Sequence, residues 1–268
     1  MNSTEIADRE RPAKAGVILK HWLQAEDFTL AMSSGFFSFF AHAGMLAALL
    51  ANDCKPAAIT GSSAGALVGA CWASGMSIDA IKQSLLSLKK EDFWDPGLGA
   101  GVLKGARFRA MLAESLNART IEECQVPLAL SAFDCLRHET EVFRRGDLVD
   151  CVYASCAFPV LFQPIRIGNS WYLDGGIADR PALAAITPGQ RVLYHHIKSR
   201  SPWRRKNSPT LAIPHRENMQ SIALDNIPRV GPNRLSEGPR AFAAAYESTF
   251  NILGEPCDDN SPKTQTAP

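Results

Sequence analysis

A serine hydroxyl becomes a nucleophile when a tight backbone turn exposes it and a base stands beside it. Residues 57–65 read Ala-Ala-Ile-Thr-Gly-Ser-Ser-Ala-Gly, an apolar run that breaks into Gly-x-Ser-x-Gly with Ser63 at its centre. The spacing predicts a strand, a sharp turn and a helix. Gly61 and Gly65 flank the turn because a Cβ at either would collide with the neighbouring strand or helix. Ala64 to Ala73 is apolar and small-residued, as in a closely packed buried helix whose N-terminus points its dipole and free N–H groups at the serine. The same five residues also make a plain glycine-rich turn, so the chemistry depends on a partner.

Two kinds of base are available. Asp174 ends the stretch Trp171-Tyr-Leu-Asp and is followed by Gly175 and Gly176, which allow close backbone approach. A carboxylate there accepts the serine proton directly if partial burial raises its basicity, although Asp-Gly is also a common turn pair. In a Ser-His-Asp arrangement the base would instead be His138, His195, His196 or His215, each of which also reads as a strand or surface histidine. A metal site is not expected, because no Cys/His cluster has ligand spacing. The adjacent His195 and His196 would point to opposite faces of a strand.

These residues need elements to carry them. Phe28 to Ser33 reads as a first strand, followed by Ser34-Gly35 and a helix from about Phe39 to Leu50. Ser77 starts a helix ending near Leu88. A Gly/Pro-rich loop, Asp95 to Gly105, leads to another helix from about Arg107 to Leu116, and Thr120 with Glu123 resembles a capping box. Strands are predicted at 128–133, 139–143, 170–173 and 192–197, with helices at 148–155 and 239–251. Alternating strands and helices imply an α/β fold with a largely parallel sheet. Gly97-Leu-Gly99-Ala-Gly101 follows Asp95-Pro96 rather than a strand and lacks the dinucleotide-binding register, so it reads as a flexible loop or lid.

The 268 residues are 46% hydrophobic and 21% charged, enough for one large core, and a net charge of +1 argues against a nucleic-acid binder. Seven cysteines, odd in number and without a CxxC pair, fit reduced thiols in a cytoplasmic protein. Residues 1–15 are polar, with no apolar core of a secretory signal, and are expected to be a flexible leader. Residues 16–254 are expected to form one domain, and 255–268 a disordered tail. The longest apolar stretch, Phe36 to Ala51, carries Ser38 and His42 and falls short of a bilayer span. Lys198 to Lys206 carries five cations, no acid and Trp203. It fits peripheral contact with an anionic membrane, and equally a solvated loop.

Taken together, these signals resemble the patatin-like phospholipase family, which uses a Ser–Asp dyad without histidine. Gly61-Ser-Ser63-Ala-Gly65 and the helix after it look like that family's nucleophile elbow, and Asp174-Gly175-Gly176 looks like its Asp-Gly-Gly/Ala motif. Ala154-Ser-Cys-Ala-Phe-Pro159 resembles the segment leading into that motif. His42-Ala-Gly44-Met-Leu46 resembles the helix after its glycine-rich oxyanion loop. That loop departs from the pattern: Gly-Gly-Gly-x-Arg-Gly falls on Ser34-Gly35-Phe36-Phe37-Ser38-Phe39, which keeps one glycine and puts Ser38 where the family has arginine.

The resemblance implies a three-layer αβα sandwich with a mostly parallel central sheet. It also implies a lipid acyl hydrolase of phospholipase A or lysophospholipase type, acting on a lipid or ester without metal or cofactor. Ser63 would be the nucleophile and Asp174 the base. The N–H groups of Gly35 and Phe36 would hold the oxyanion, with Phe37 and Ala64 as further donors. Phe36, Phe37, Phe39 and Phe40 would line an acyl channel or pack the core. The alternatives are a Ser-His-Asp esterase or acyltransferase, and a lipid-binding protein that lost activity with the oxyanion glycines.

Overall fold

A computed structural model describes residues 17–198, 211–257 and 263–266. Strands β1 (Thr29–Met32), β2 (Ala58–Ser62), β3 (Leu128–Asp134), β4 (Glu139–Phe143), β5 (Ile165–Ile167), β6 (Ser170–Asp174), β7 (Val192–Ile197), β8 (Met219–Asp225) and β9 (Lys263–Thr266) form one sheet. Its order is β5-β6-β3-β2-β1-β7-β8-β9, with β4 also on β3. From β3 through β9 the neighbours run parallel, while β4, β5 and β6 make an antiparallel margin.

Helices α1 (Leu19–Ala25), α2 (Phe39–Ala51), α3 (Ala64–Ala73), α4 (Ile78–Ser87), α5 (Ala106–Ser115), α6 (Leu148–Cys156) and α7 (Gly238–Ile252) flank the sheet, giving the layered α/β sandwich. Both sheet faces are covered, as a parallel sheet requires. Along β1, Leu30 and Met32 face the main core, while Ala31 joins Tyr194 and Leu183 in a smaller cluster. The period of two sorts the strand between two layers. Helix α3 is buried along nearly its whole length, which explains why its sequence is apolar all round.

The sheet places β2 and β6 end to end. Residues 128–131 of β3 pair with β2, and residues 132–134 pair with β6. Strand β4 runs along the other edge of β3, from Leu130 to Asp134. Ser62 is therefore opposite Ser131, and Asp174 is opposite the next residue, Ala132.

Several elements differ from expectation, the short strand Ile165–Ile167 among them. Leu19–Ala25 is a helix and Met219–Asp225 a strand, neither anticipated. The tail expected to be disordered over 255–268 carries backbone pairing where it is described. Glu255 and Cys257 exchange backbone bonds with Leu19 and Val17, and 263–266 pairs parallel with β8. Unpaired backbone at a sheet edge and a helix start supplies the partners that a polar tail lacks by itself. The leader to residue 15, and Lys198–Lys206 beyond Lys198, lie outside the described residues. Lys198 itself pairs with Asp225 at 2.7 Å.

Candidate active site

Ser63 sits between β2 and α3 with φ 53° and ψ −117°, a backbone conformation costly for any residue with a Cβ. Close packing holds it there. A Cβ on Gly65 would lie 2.2 Å from the Met32 carbonyl oxygen, and one on Gly61 2.6 Å from the Ala66 backbone. The elbow is also tied from α6. The Ser63 N–H donates to Ser155 Oγ at 2.9 Å, and the Ser155 hydroxyl donates to the Ser131 carbonyl at 2.7 Å. The Cys156 thiol donates to the Ser63 carbonyl at 3.1 Å. Burial, reinforced by the Asp174 charge, pushes that thiol well above its usual pKa and keeps it a donor.

The Ser63 hydroxyl donates to Asp174 Oδ2 at 2.6 Å. The other oxygen, Oδ1, accepts the Gly176 N–H at 2.8 Å, and the Asp174 N–H is anchored on the Ala157 carbonyl at 3.0 Å. Gly175 is pressed against β3, where a Cβ would come within 2.0 Å of the Ser131 oxygen. Asp174 is 4% exposed, so its contact with the serine is made largely out of water.

Ser63, Asp174, Gly35, Phe36 and Gly176 line one cavity of about 620 Å³. Gly61, Gly65 and Gly175 lie behind it as packing positions. Phe36, Phe37 and Phe39 contribute to its wall with Leu67, Phe108 and Leu112. Phe40 instead packs in the core against Gly238. Among the described residues no histidine lines this cavity. His138 and His215 are exposed, and His195 and His196 are buried on opposite faces of β7.

The turn between β1 and α2 carries the expected oxyanion donors. Among the described residues the N–H groups of Gly35 and Phe36 donate to no protein acceptor. Ser38, at the position of the family arginine, closes the turn by donating its hydroxyl to the Gly35 carbonyl at 2.8 Å. Phe37 has φ 54°.

A polar cluster that sequence reasoning missed supports this turn from behind. His42 Nε2 lies 2.8 Å from the Ser33 carbonyl, which can only accept, so Nε2 carries the proton. Burial pushes His42 down to about pKa 3 and His195 well below its usual value, so both rings are neutral. His42 Nδ1 therefore accepts from His195 Nδ1–H at 2.8 Å. Arg180 is the only Lys or Arg buried among the described residues, and it also lines the cavity. Its carbonyl accepts the Ser34 N–H at 2.8 Å, and its guanidinium donates to the Ile197 carbonyl. His42 and His195 both drew attention in the sequence, His42 in a family-like helix and His195 as a candidate base, but nothing there joined them. Arg180 carried no sequence signal.

The patatin-like phospholipase family model matches residues 30–186, the span from β1 through this dyad. The chain belongs to the patatin-like phospholipase family. Uncharacterized NTE family proteins of Mycobacterium bovis and Mycobacterium tuberculosis are 30% identical to this patatin-like chain over 161 residues. That stretch covers 59% of this chain and 44% of theirs, less than half the length of those relatives. VipD from Legionella pneumophila superposes with a TM-score of 0.62 at 16% identity, over 85% of this chain and 67% of VipD. At that identity the likeness is one of fold. Among the described residues no helix is long and apolar enough to cross a membrane, and no three His, Cys, Asp or Glu side chains converge as metal ligands would.

Proposed function

We propose that this chain is a lipid acyl hydrolase of phospholipase A or lysophospholipase type that works through a Ser63 acyl-enzyme. The observation that carries this reading is the 2.6 Å bond from Ser63 Oγ to Asp174 Oδ2 in the wall of a large, mainly apolar cavity. Asp174 takes the hydroxyl proton as Ser63 Oγ attacks the ester carbonyl, and the Gly35 and Phe36 N–H groups receive the oxyanion. The proton passes to the departing alcohol, leaving the acyl group on Ser63. Asp174 then deprotonates a water that attacks the acyl-enzyme, and the fatty acid leaves as Ser63 recovers its proton.

A Ser-His-Asp mechanism has less support, since Asp174 already occupies the position of the base. Residues 16–254 act as one catalytic domain in this reading. An odd number of cysteines with no CxxC pair supports a reducing, cytoplasmic setting. A fluorophosphonate probe tests the nucleophile. It is expected to form a covalent adduct at Ser63 and to react far more slowly with Asp174→Asn. No adduct at Ser63 in the folded protein overturns the proposal.

A further inference from the structure

Ten large hydrophobic side chains are exposed among the described residues, and five of them, Phe36, Leu98, Val102, Val160 and Ile177, belong to the cavity wall or to the loop bonded to it. Phe36, Val160 and Ile177 belong to its wall. Leu98 and Val102 stand next to it on the 96–103 loop, which is zipped onto the wall segment. The Val102 N–H donates to the Val160 carbonyl at 2.9 Å, and Leu103 N–H to the Leu161 carbonyl at 2.8 Å. Gln163 Nε2 holds the Leu98 carbonyl at 2.9 Å. On the other side the Phe36 ring meets Phe158 at 5.8 Å, so the apolar rim is continuous.

Three features set this rim apart from ordinary surface. Leu98 is fully exposed, at the tip of a loop whose residues 96–103 carry no charge. The nearest acid, Asp95, is turned inward onto the Gly105 and Arg107 N–H groups. Val160, two-thirds exposed, is held at φ 70°, a conformation that β-branched residues avoid. Such a conformation is costly for a β-branched residue, and here it coincides with an apolar side chain turned to the outside.

We infer that this rim docks on the hydrocarbon of a lipid aggregate, so that the substrate is a membrane-resident long-chain ester rather than a dissolved one. The substrate half of this inference rests on the hydrolase reading; the docking half does not. A protein partner would use hydrogen bonds as well as apolar area. Here the N–H groups of Gly97, Val102, Leu103 and Lys104 and the carbonyls of Leu98 and Val102 are already paired within the chain. The side chains that residues 96–103 offer outward are apolar and uncharged and adjoin the cavity wall, while the exposed Lys104 at the loop's end lays its stem along Gly97. An acyl chain moving from a bilayer along Leu98 and Val160 reaches Ser63 without crossing water.

The test uses the full chain carrying Ser63→Ala, floated with phosphatidylcholine vesicles, with and without Leu98→Glu and Val102→Glu. The parent is expected to partition onto the vesicles and the double substitution to reduce partition at least tenfold, while Leu98→Trp increases it. In the active chain the same double substitution is expected to cut hydrolysis of vesicle lipid about tenfold. Turnover of p-nitrophenyl butyrate should stay within about twofold, since neither side chain lines the cavity. Three results overturn the inference. The parent fails to bind phosphatidylcholine; binding needs anionic lipid and ignores Leu98 and Val102; or Leu98 and Val102 support a dimer in light scattering with no vesicle binding. If partition falls as expected while no ester is ever turned over, docking stands and the hydrolase reading fails.

Discussion

The elbow that carries Ser63 and the turn proposed to hold the oxyanion leave adjacent parallel strands, β2 and β1, yet they are held in shape by different means. At the elbow, glycines exclude every alternative: backbone packs on backbone, and Ser63 is left in a strained conformation facing Asp174. At the turn from Ser34 to Ser38 one glycine remains. Bulky phenylalanines face the cavity, and shape comes from hydrogen bonds to Ser38, Arg180, His42 and His195. Steric exclusion near a nucleophile is written in short sequence. A hydrogen-bonded cradle assembled from the turn, the start of α2 and two distant segments, Arg180 and β7, is not, and it has more ways to fail.

The largest separation between the two regions is expected at the dyad. Asp174→Asn should lower ester turnover by about 10⁴-fold with the fold intact, while His138→Gln and His215→Gln stay within about twofold. Steady-state kinetics on one soluble ester checks all three. A histidine variant matching Asp174→Asn would replace the dyad with a triad.

Next comes Gly65→Ala, whose Cβ would meet the Met32 carbonyl. It is expected to cost about 3 kcal/mol or more in urea denaturation, the upper end of overpacking effects. A near-neutral result would show that the elbow yields more easily than its packing implies.

Acid should reach the oxyanion side through its buried histidines. His42 and His196 have folded-state pKa values near 3, below the ordinary 6.5, so the unfolded chain binds protons first. Their contribution to stability is complete above about pH 6.5 and is lost as pH falls toward about 3. Urea midpoints should be flat from about pH 7 to 8 and decline below about 6.5. Midpoints unchanged down to about pH 4.5 would contradict the neutral-pair assignment.

Ser38→Ala removes one bond to the Gly35 carbonyl and is expected to cost about 1 kcal/mol, with kcat falling more than KM rises. A stability effect of similar size has the opposite sign. Ser63→Gly relieves the positive φ and should raise stability by about 1 kcal/mol while abolishing fluorophosphonate labelling. Together they distinguish a turn that tunes catalysis from an elbow strained for it.

Much of the site was legible because its signals are local. Gly61, Gly65 and the apolar Ala64–Ala73 helix announce an elbow within a dozen residues, and Asp174-Gly-Gly announces a strand end with close backbone approach. Helix α1 and strand β8 were not legible. Leu19–Ala25 is short, with charged and polar neighbours, and Met219–Asp225 acquires its meaning only from β7 beside it. Ser155 lay within a recognised segment, but its role as a bridge between the Ser63 N–H and β3 depends on a residue 92 positions away.

By itself, then, the sequence determined the strained serine, the parallel α/β plan and the family to which both belong, since local sterics and periodicity are carried by neighbouring residues. Tertiary structure decided which group faces Ser63. Strands β2 and β6 share one edge of β3, so Ser62 and Asp174 align with consecutive residues, Ser131 and Ala132. That register joins segments more than a hundred residues apart, through backbone pairing that no local pattern encodes. The same long-range pairing brings Arg180, His42 and His195 behind a turn that glycine no longer shapes.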